Sequence, residues 1–349
     1  MRARGINYDT GFRPGGHLSR KQFDPGVVRR EMQVIARDLH CTAVRISGAD
    51  PERLSVAAEH AAAAGLEVWF APFPCELGAA DLLPLLAECA DRAEHLRRGG
   101  AEVVLVTGCE LSLFAGGFLP GGTVFERIER MQRRSLRQLA AFARLSGRLN
   151  GFLAQAAEAA RSRFGGPLTY ASGTWEPVNW APFDIVSVDA YRDAGNAADY
   201  AAGLRGQQRH GKPVAVTEFG CCCYAGAADR GGLGWAILDA AADEPRLDGD
   251  YVRDDQEQVR YLEELLPVFA QAGVDAAFWY TFATYEAPHR DDPRLDLDLA
   301  SYGVVQMLGD GDGDGDGDGG GGAVPAPFAG LGWAPRPSFA ALARAYAPS

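Results

Sequence analysis

Two glutamates stand where glutamate is poor strand material. Glu110 ends the run Val-Val-Leu-Val-Thr-Gly-Cys, and Glu218 ends Pro-Val-Ala-Val-Thr. A carboxylate after such a run is costly to bury unpaired, and a purely structural strand end more naturally carries Ser, Asn or Gly. Each glutamate alone reads equally well as a cap or salt-bridge partner. As a pair they suit a reaction that needs one carboxylic acid and one carboxylate. A glycosidic oxygen leaves poorly, so one group must protonate it while the other attacks or stabilises the oxocarbenium-like carbon. Surroundings divide the labour: an apolar pocket raises one pKa, and a neighbouring arginine lowers the other.

Arg45 interrupts an apolar strand between Val44 and Ile46 and is the candidate that keeps Glu218 ionised, a surface salt bridge being the alternative. Tyr191 is a second candidate partner for the nucleophile, or a packing residue. Trp69, Trp175, Trp180 and Trp279 lie near expected strand ends, where an indole either stacks on the C–H face of a sugar or simply fills core. Trp279 is the preferred platform among them. Asn7 and Asp189 are candidates for holding hydroxyls or for capping turns. The histidines (His17, His40, His60, His95, His210, His289) form no HExxH or paired ligand pattern, and no GxSxG elbow occurs. A metal hydrolase and a Ser-His-Asp triad are therefore disfavoured, and neither metal nor cofactor is expected.

These residues need elements to carry them. Short β-branched runs alternate with amphipathic stretches, the pattern of a parallel sheet with crossover helices. The strands are expected at Gly5–Asp9, Thr42–Ser47, Glu67–Phe73, Glu102–Thr107, Leu168–Ser172, Asp184–Ala190, Pro213–Phe219 and Asp275–Phe282. Asp24-Pro25 and Asp50-Pro51 open helices with a capping residue and a first-turn proline, and Gly99-Gly100 ends one. A long helical region over about 125–164 should break near Gly147 or Gly151. Eight strands close a barrel, whose chemistry gathers at their carboxyl ends. A doubly wound sheet is the runner-up, but no GxGxxG follows strand one. The fold expected is a single (β/α)₈ TIM barrel over residues 1–349. Long loops after strands four and seven, Leu111–Thr123 and Gly220–Tyr251, would wall off one end of a cleft and favour exo-action. The Gly-Asp tract at 309–322 cannot bury apolar surface and reads as a flexible, disordered loop before the last helix. It lacks the apolar residue that calcium-binding nonapeptide repeats require.

With 349 residues, 47% of them apolar, the chain has ample material for one large core. Its formal charge is −12, five of it in the Gly-Asp tract, and it carries no basic stripe. Wholesale nucleic-acid binding and a polybasic membrane anchor are excluded on that ground. No run approaches the roughly 18 apolar residues of a membrane span, and no apolar leader is visible. Seven cysteines, three of them adjacent at 221–223, point to a reducing cytoplasm. The expected partner is a small or short oligosaccharide or glycoconjugate. The oligomeric state is not legible.

A family likeness rests on particular segments. Strand four ending in glutamate, Lys-Pro-Val-Ala-Val-Thr-Glu-Phe-Gly at strand seven, Phe-Trp-Tyr-Thr-Phe at strand eight, and the late Tyr-Gly-Val and Pro-Arg-Pro-Ser-Phe-Ala-Ala-Leu together resemble the retaining glycoside hydrolases of the clan A (4/7) superfamily. The resemblance implies that Glu110 is the general acid/base, Glu218 the nucleophile, Arg45 its neighbouring arginine and Trp279 the strand-eight tryptophan of the sugar site. One position departs. Where that superfamily usually has Asn before the acid/base, its amide on the sugar 2-hydroxyl, this chain has Cys109, a weak donor. Two other readings stay open: a sugar-binding or regulatory barrel without turnover, and a transglycosylating biosynthetic enzyme. The chain also resembles actinobacterial proteins labelled abortive infection protein, a label that no residue explains.

Overall fold

The computed structural model describes residues 1–133, 136–239, 244–309 and 328–348. Eight strands, β1 (Ala3–Asp9), β2 (Ala43–Gly48), β3 (Glu67–Pro72), β4 (Val103–Cys109), β5 (Leu168–Gly173), β6 (Val186–Asp189), β7 (Val214–Phe219) and β8 (Ala276–Trp279), form a closed parallel barrel in sequence order. β8 returns to β1 through the register Ala3↔Ala276 to Ile6↔Trp279. Around it run α1 (Pro25–Arg37), α2 (Pro51–Ala63), α3 (Ala79–Arg98), α4 (Leu111–Phe114), α5 (Val124–Gln132), α6 (Leu136–Arg161), α7 (Tyr200–Gln207), α8 (Gln256–Ala272) and α9 (Pro337–Tyr346). This is the expected (β/α)₈ barrel.

Local chemistry sets the helix starts. Asp24 accepts from the backbone N–H of Gly26 and Asp50 from that of Glu52, each ahead of a first-turn proline, so orphan donors at both N-termini are satisfied. The expected break at Gly147 or Gly151 does not occur. Both glycines lie inside α6, and α5 ends earlier, at Arg133, whose extended backbone stops the helix. A hydrophobic period shared by two helices reads as one long helix when no proline separates them. An antiparallel pair, β9 (Val305–Met307) with β10 (Trp333–Pro335), was not expected. The Gly-Asp tract lies outside the described residues from position 310 onward.

Side-chain alternation divides each strand between two cores. Ile6, Tyr8, Val44, Ile46 and Val216 face the helices, whereas Ala3, Ala43, Trp69, Ala71, Ala171, Ala215 and Phe278 fill the barrel. Small residues dominate the interior because two large rings occupy it: Trp69 and Phe278 meet at 4.7 Å between ring centroids. Gly5 must be glycine here, since a Cβ would sit 2.3 Å from the Phe278 ring. The ladder loses its register at three places: before Cys109 on β4, before Asp189 on β6 and before Phe219 on β7. Such irregularities re-aim side chains, and all three lie at the carboxyl end of the barrel.

Candidate active site

Asn7 and Arg45 are register partners on β1 and β2, and both are 1% exposed. Asn7 spends its amide N–H on the Thr217 carbonyl at 2.9 Å, while its Oδ1 accepts from Arg45 Nη1 at 2.8 Å. The same Nη1 donates to Glu218 Oε1 at 2.6 Å. Tyr191 completes the cradle: its hydroxyl donates to Glu218 Oε2 at 2.9 Å. Glu218 therefore has each carboxylate oxygen held, and a fixed positive charge lies beneath it. Charge-assisted bonds of this kind are short and orienting.

Glu110 has a different setting. It follows β4 in the left-handed region, at φ 40° and ψ 48°, and opens α4. A non-glycine residue there stores backbone strain, a frequent mark of a functional position. Its backbone is fixed by N–H donation to Ala171 and by the amides of Leu113 and Phe114, which donate to its carbonyl. Among the described residues no hydrogen bond or ion pair reaches its carboxyl. Burial, then the charges of Asp189, Glu218 and Glu176, push its pKa well above the usual carboxylate range. One carboxyl is thus held by cationic and hydroxyl donors and the other favours its proton.

Between them lie two further groups. Asp189 is the register partner of Glu218 and is 2% exposed, with its Oδ1 unpartnered among the described residues. Burial and the Glu218 charge hold its carboxyl well above the ordinary aspartate range. Cys109 Sγ stands 3.5 Å from Asp189 Oδ2 and 3.7 Å from Glu218 Oε1, so a single S–H proton faces two carboxyl oxygens. Burial raises the thiol, which keeps that proton. The ligand atoms of Cys109, Asp189 and Glu218 lie within 4.8 Å of one another, close enough for a cation, but the Arg45 guanidinium already supplies positive charge there. A second such trio, His289, Asp296 and Asp298, is likewise neutralised by Arg253 and Arg336.

The aromatic candidates divide. Trp175, half-buried, lies over Gly173 and donates its indole N–H to Ser112 Oγ at 3.0 Å, just beyond Glu110. Trp69 does not reach the carboxylates. Its N–H bonds Glu67 Oε1 at 2.9 Å, toward the start of its own strand, and its ring packs the barrel interior. Trp180 packs against Phe183 and His210. Trp279 points outward instead, edge-on to Phe219 and Tyr261, with its N–H spent on the Tyr302 carbonyl at 3.0 Å. Tyr280 takes the inner position, edge-on to Tyr191 and Tyr302.

Two positioning glutamates went unrecognised in the sequence. Glu176 is buried and accepts from Ser112 N, Tyr170 Oη and Gly173 N, tying the loop after β5 to the turn that carries Glu110. Glu76 accepts from Val124 N and pairs with Arg127, fixing the start of α5. Both sit in loops with no apolar period to mark them. A surface cavity of about 730 Å³ between α2 and α3 lies outside the barrel, where Arg92 is already paired with Glu52 and Glu88.

No protein-family model and no curated protein sequence matches this chain. Solved structures do. A GH113 β-1,4-mannanase is similar over 99% of this chain and 99% of its own, with a TM-score of 0.63 at 14% identity. The GH113 β-mannanase of Alicyclobacillus acidocaldarius covers 99% and 97%, at TM-score 0.59 and 16% identity. The fold is one that glycosidases use. A hyperthermophilic β-glucosidase mutant extends the likeness, over 98% and 99% of the two chains, at TM-score 0.55 and 10% identity. Among the described residues no helix is long and apolar enough to cross a membrane.

Proposed function

We propose that this protein is a retaining O-glycoside hydrolase in which Glu218 is the nucleophile and Glu110 the general acid/base. The observation that carries the reading is the contrast between the two carboxyls. Arg45 and Tyr191 hold both oxygens of Glu218, whereas Glu110 has no ion-pair partner among the described residues and favours its proton. In the first step a Glu218 oxygen bonds to the anomeric carbon as the bond to the leaving oxygen breaks, and the Glu110 proton passes to that oxygen. In the second, Glu110 takes a proton from water, the water oxygen bonds to the same carbon, and Glu218 leaves as carboxylate. Asn7 positions Arg45, Asp189 offers Oδ1 to a hydroxyl, and Trp175 offers a ring to a sugar face. Trp69 and Trp279 have packing roles in this reading.

The substrate class is a small or short oligosaccharide or a glycoconjugate. The unpaired state of all seven cysteines supports work in a reducing cytoplasm. The expected likeness to proteins labelled abortive infection protein has no curated sequence match behind it and adds no residue to the mechanism. Cys109 favours one alternative, a barrel that binds sugar without turnover, because a thiol is a poor substitute for an amide donor. Transfer to an acceptor other than water uses the same first step. A panel of dinitrophenyl glycosides tests the reading: a burst of dinitrophenol followed by steady turnover, abolished in Glu218→Gln, is expected. Binding without release of dinitrophenol by the native protein would select the non-catalytic alternative, and alkyl glycosides formed in added alcohol would reveal transfer.

A further inference from the structure

Among the described residues five large apolar side chains are exposed, and apart from Met1 they are Phe125 (44%), Leu233 (40%), Leu238 (40%) and Val252 (75%). Scattered exposed apolar residues need no explanation, but these four all belong to two segments at the carboxyl end of the barrel: α5, which follows Glu110, and the loop after Glu218. The two segments touch. The Phe125 and Trp235 rings meet edge to face at 5.9 Å. Phe125 also lies on Gly15, in the loop after β1, where a Cβ would come within 2.7 Å of its ring. Chain from β1, β4 and β7 therefore converges on one apolar rim.

That rim is built onto the nucleophile's cradle. Tyr302 Oη donates to the Gly231 carbonyl at 2.6 Å and accepts from Gly234 N at 2.9 Å, fixing the turn that presents Leu233 and Trp235. Its ring is edge-on to Tyr191 at 5.9 Å, and Tyr191 holds Glu218. Gly232 lies directly on Tyr191, where a Cβ would stand 3.1 Å from the ring. The acidic cluster is thus joined to an apolar rim through the contacts of Tyr191 with Tyr302 and Gly232.

We infer that the substrate is an amphipathic glycoside: its sugar enters among Glu110, Asp189 and Glu218, and an apolar leaving group lies on Phe125, Leu233 and Trp235. This rests on the glycosidase reading and narrows its substrate class. Rings also stack on sugars, but a polysaccharide would bring hydroxyls that want polar partners. The exposed aliphatic Leu233 beside Trp235 instead suits an alkyl or aryl aglycone, which gains by covering it.

Methyl and octyl glycosides of the same sugars (glucose, mannose and galactose, each anomer, below micellar concentration) test this by turnover and, independently, by calorimetric binding. The native protein is expected to prefer octyl over methyl by about tenfold or more, a modest share of what seven buried methylenes can supply. Phe125→Ser with Leu233→Ser should bring the preference within about threefold while leaving the methyl glycoside's kcat/KM unchanged. Circular dichroism confirms the fold, and Leu233→Ser alone serves if the double variant does not fold. Turnover with no chain-length preference overturns the inference and spares the glycosidase reading. Octyl-selective binding without turnover supports the site and overturns the reading. No binding of either glycoside defeats both. A native dimer that the double variant turns into a monomer, with the preference unchanged, would make the rim a self-association surface and overturn the inference.

Discussion

Arg45 lies beneath Glu218 with its Nη1 2.6 Å from Oε1, and only 1% of the arginine side chain is exposed. A buried cation with one charged partner cannot lose that partner cheaply, because the charge left behind is unsolvated. Glu218→Ala should therefore destabilise the fold by about 3–5 kcal/mol, the usual cost of breaking a buried pair, whereas Glu218→Gln keeps an acceptor and should cost less. Chemical denaturation of both variants checks this. Equal, near-zero losses would show that Arg45 does not depend on Glu218.

Arg45→Lys replaces a rigid planar guanidinium, whose Nη1 serves both Asn7 and Glu218, with a flexible point charge. The expected result is a fall in kcat of about 10- to 100-fold, the scale of one positioned charge-assisted contact, with a much smaller change in KM. Unchanged kcat would remove Arg45 from the nucleophile's support.

The pH dependence follows from Glu110. Burial and the nearby carboxylates raise its pKa in the folded chain, so kcat/KM should decline on the alkaline side as the acid is lost. With a dinitrophenyl leaving group, which needs no protonation, that alkaline limb should be much weaker in the native protein. Glu110→Gln should keep most of its kcat/KM for this substrate while losing it for alkyl glycosides. Stability moves in the same direction. Unfolded Glu110 ionises at lower pH than folded Glu110, so its contribution is fully present below the usual glutamate range and is lost as pH rises through the folded value. Glu110→Gln should accordingly raise Tm more near pH 7.5 than near pH 4. A gain that is larger in acid would contradict the assignment.

Cys109 faces Asp189 and Glu218 with one weakly donating proton. An amide at that position restores a stronger donor, so Cys109→Asn should raise kcat/KM by about fivefold, the worth of one net hydrogen bond of ~1 kcal/mol. Steady-state kinetics on a dinitrophenyl glycoside measure it. A loss of activity would show that the thiol suits this site better than an amide.

The two tryptophans should part company under mutation. Trp279→Phe opens space beside Phe219 and removes one of the two donors to the Tyr302 carbonyl, which keeps the Thr281 N–H, costing about 2 kcal/mol of stability with KM unchanged. Trp175→Ala should raise KM about tenfold or more with a smaller stability loss, as expected for a ring that stacks on sugar. Thermal melts and KM values for the pair decide it, and the reverse pattern would return Trp279 to the binding surface.

The barrel was legible because alternation and length identify buried parallel strands, and Asp-Pro pairs announce α1 and α2. Glu110, Glu218 and Arg45 were legible for a related reason: a charge inside an apolar run has to be accounted for. Trp279 misled because a strand's period of two cannot reveal which way its last residue faces when the register slips, and β7 and β8 slip just before it. Tyr280 took the inner place. Glu176 and Glu76 lie in loops, where hydrogen bonds to backbone amides leave no periodic trace.

The most direct measurement is peptide mapping after reaction with dinitrophenyl 2-deoxy-2-fluoroglycosides, which slow release of a glycosyl-enzyme. One sugar mass attached to Glu218, accumulating in the native protein and absent in Glu218→Gln, is the predicted result. A label on any other residue, or turnover of the parent glycosides with no covalent intermediate and inverted product configuration, would contradict the account.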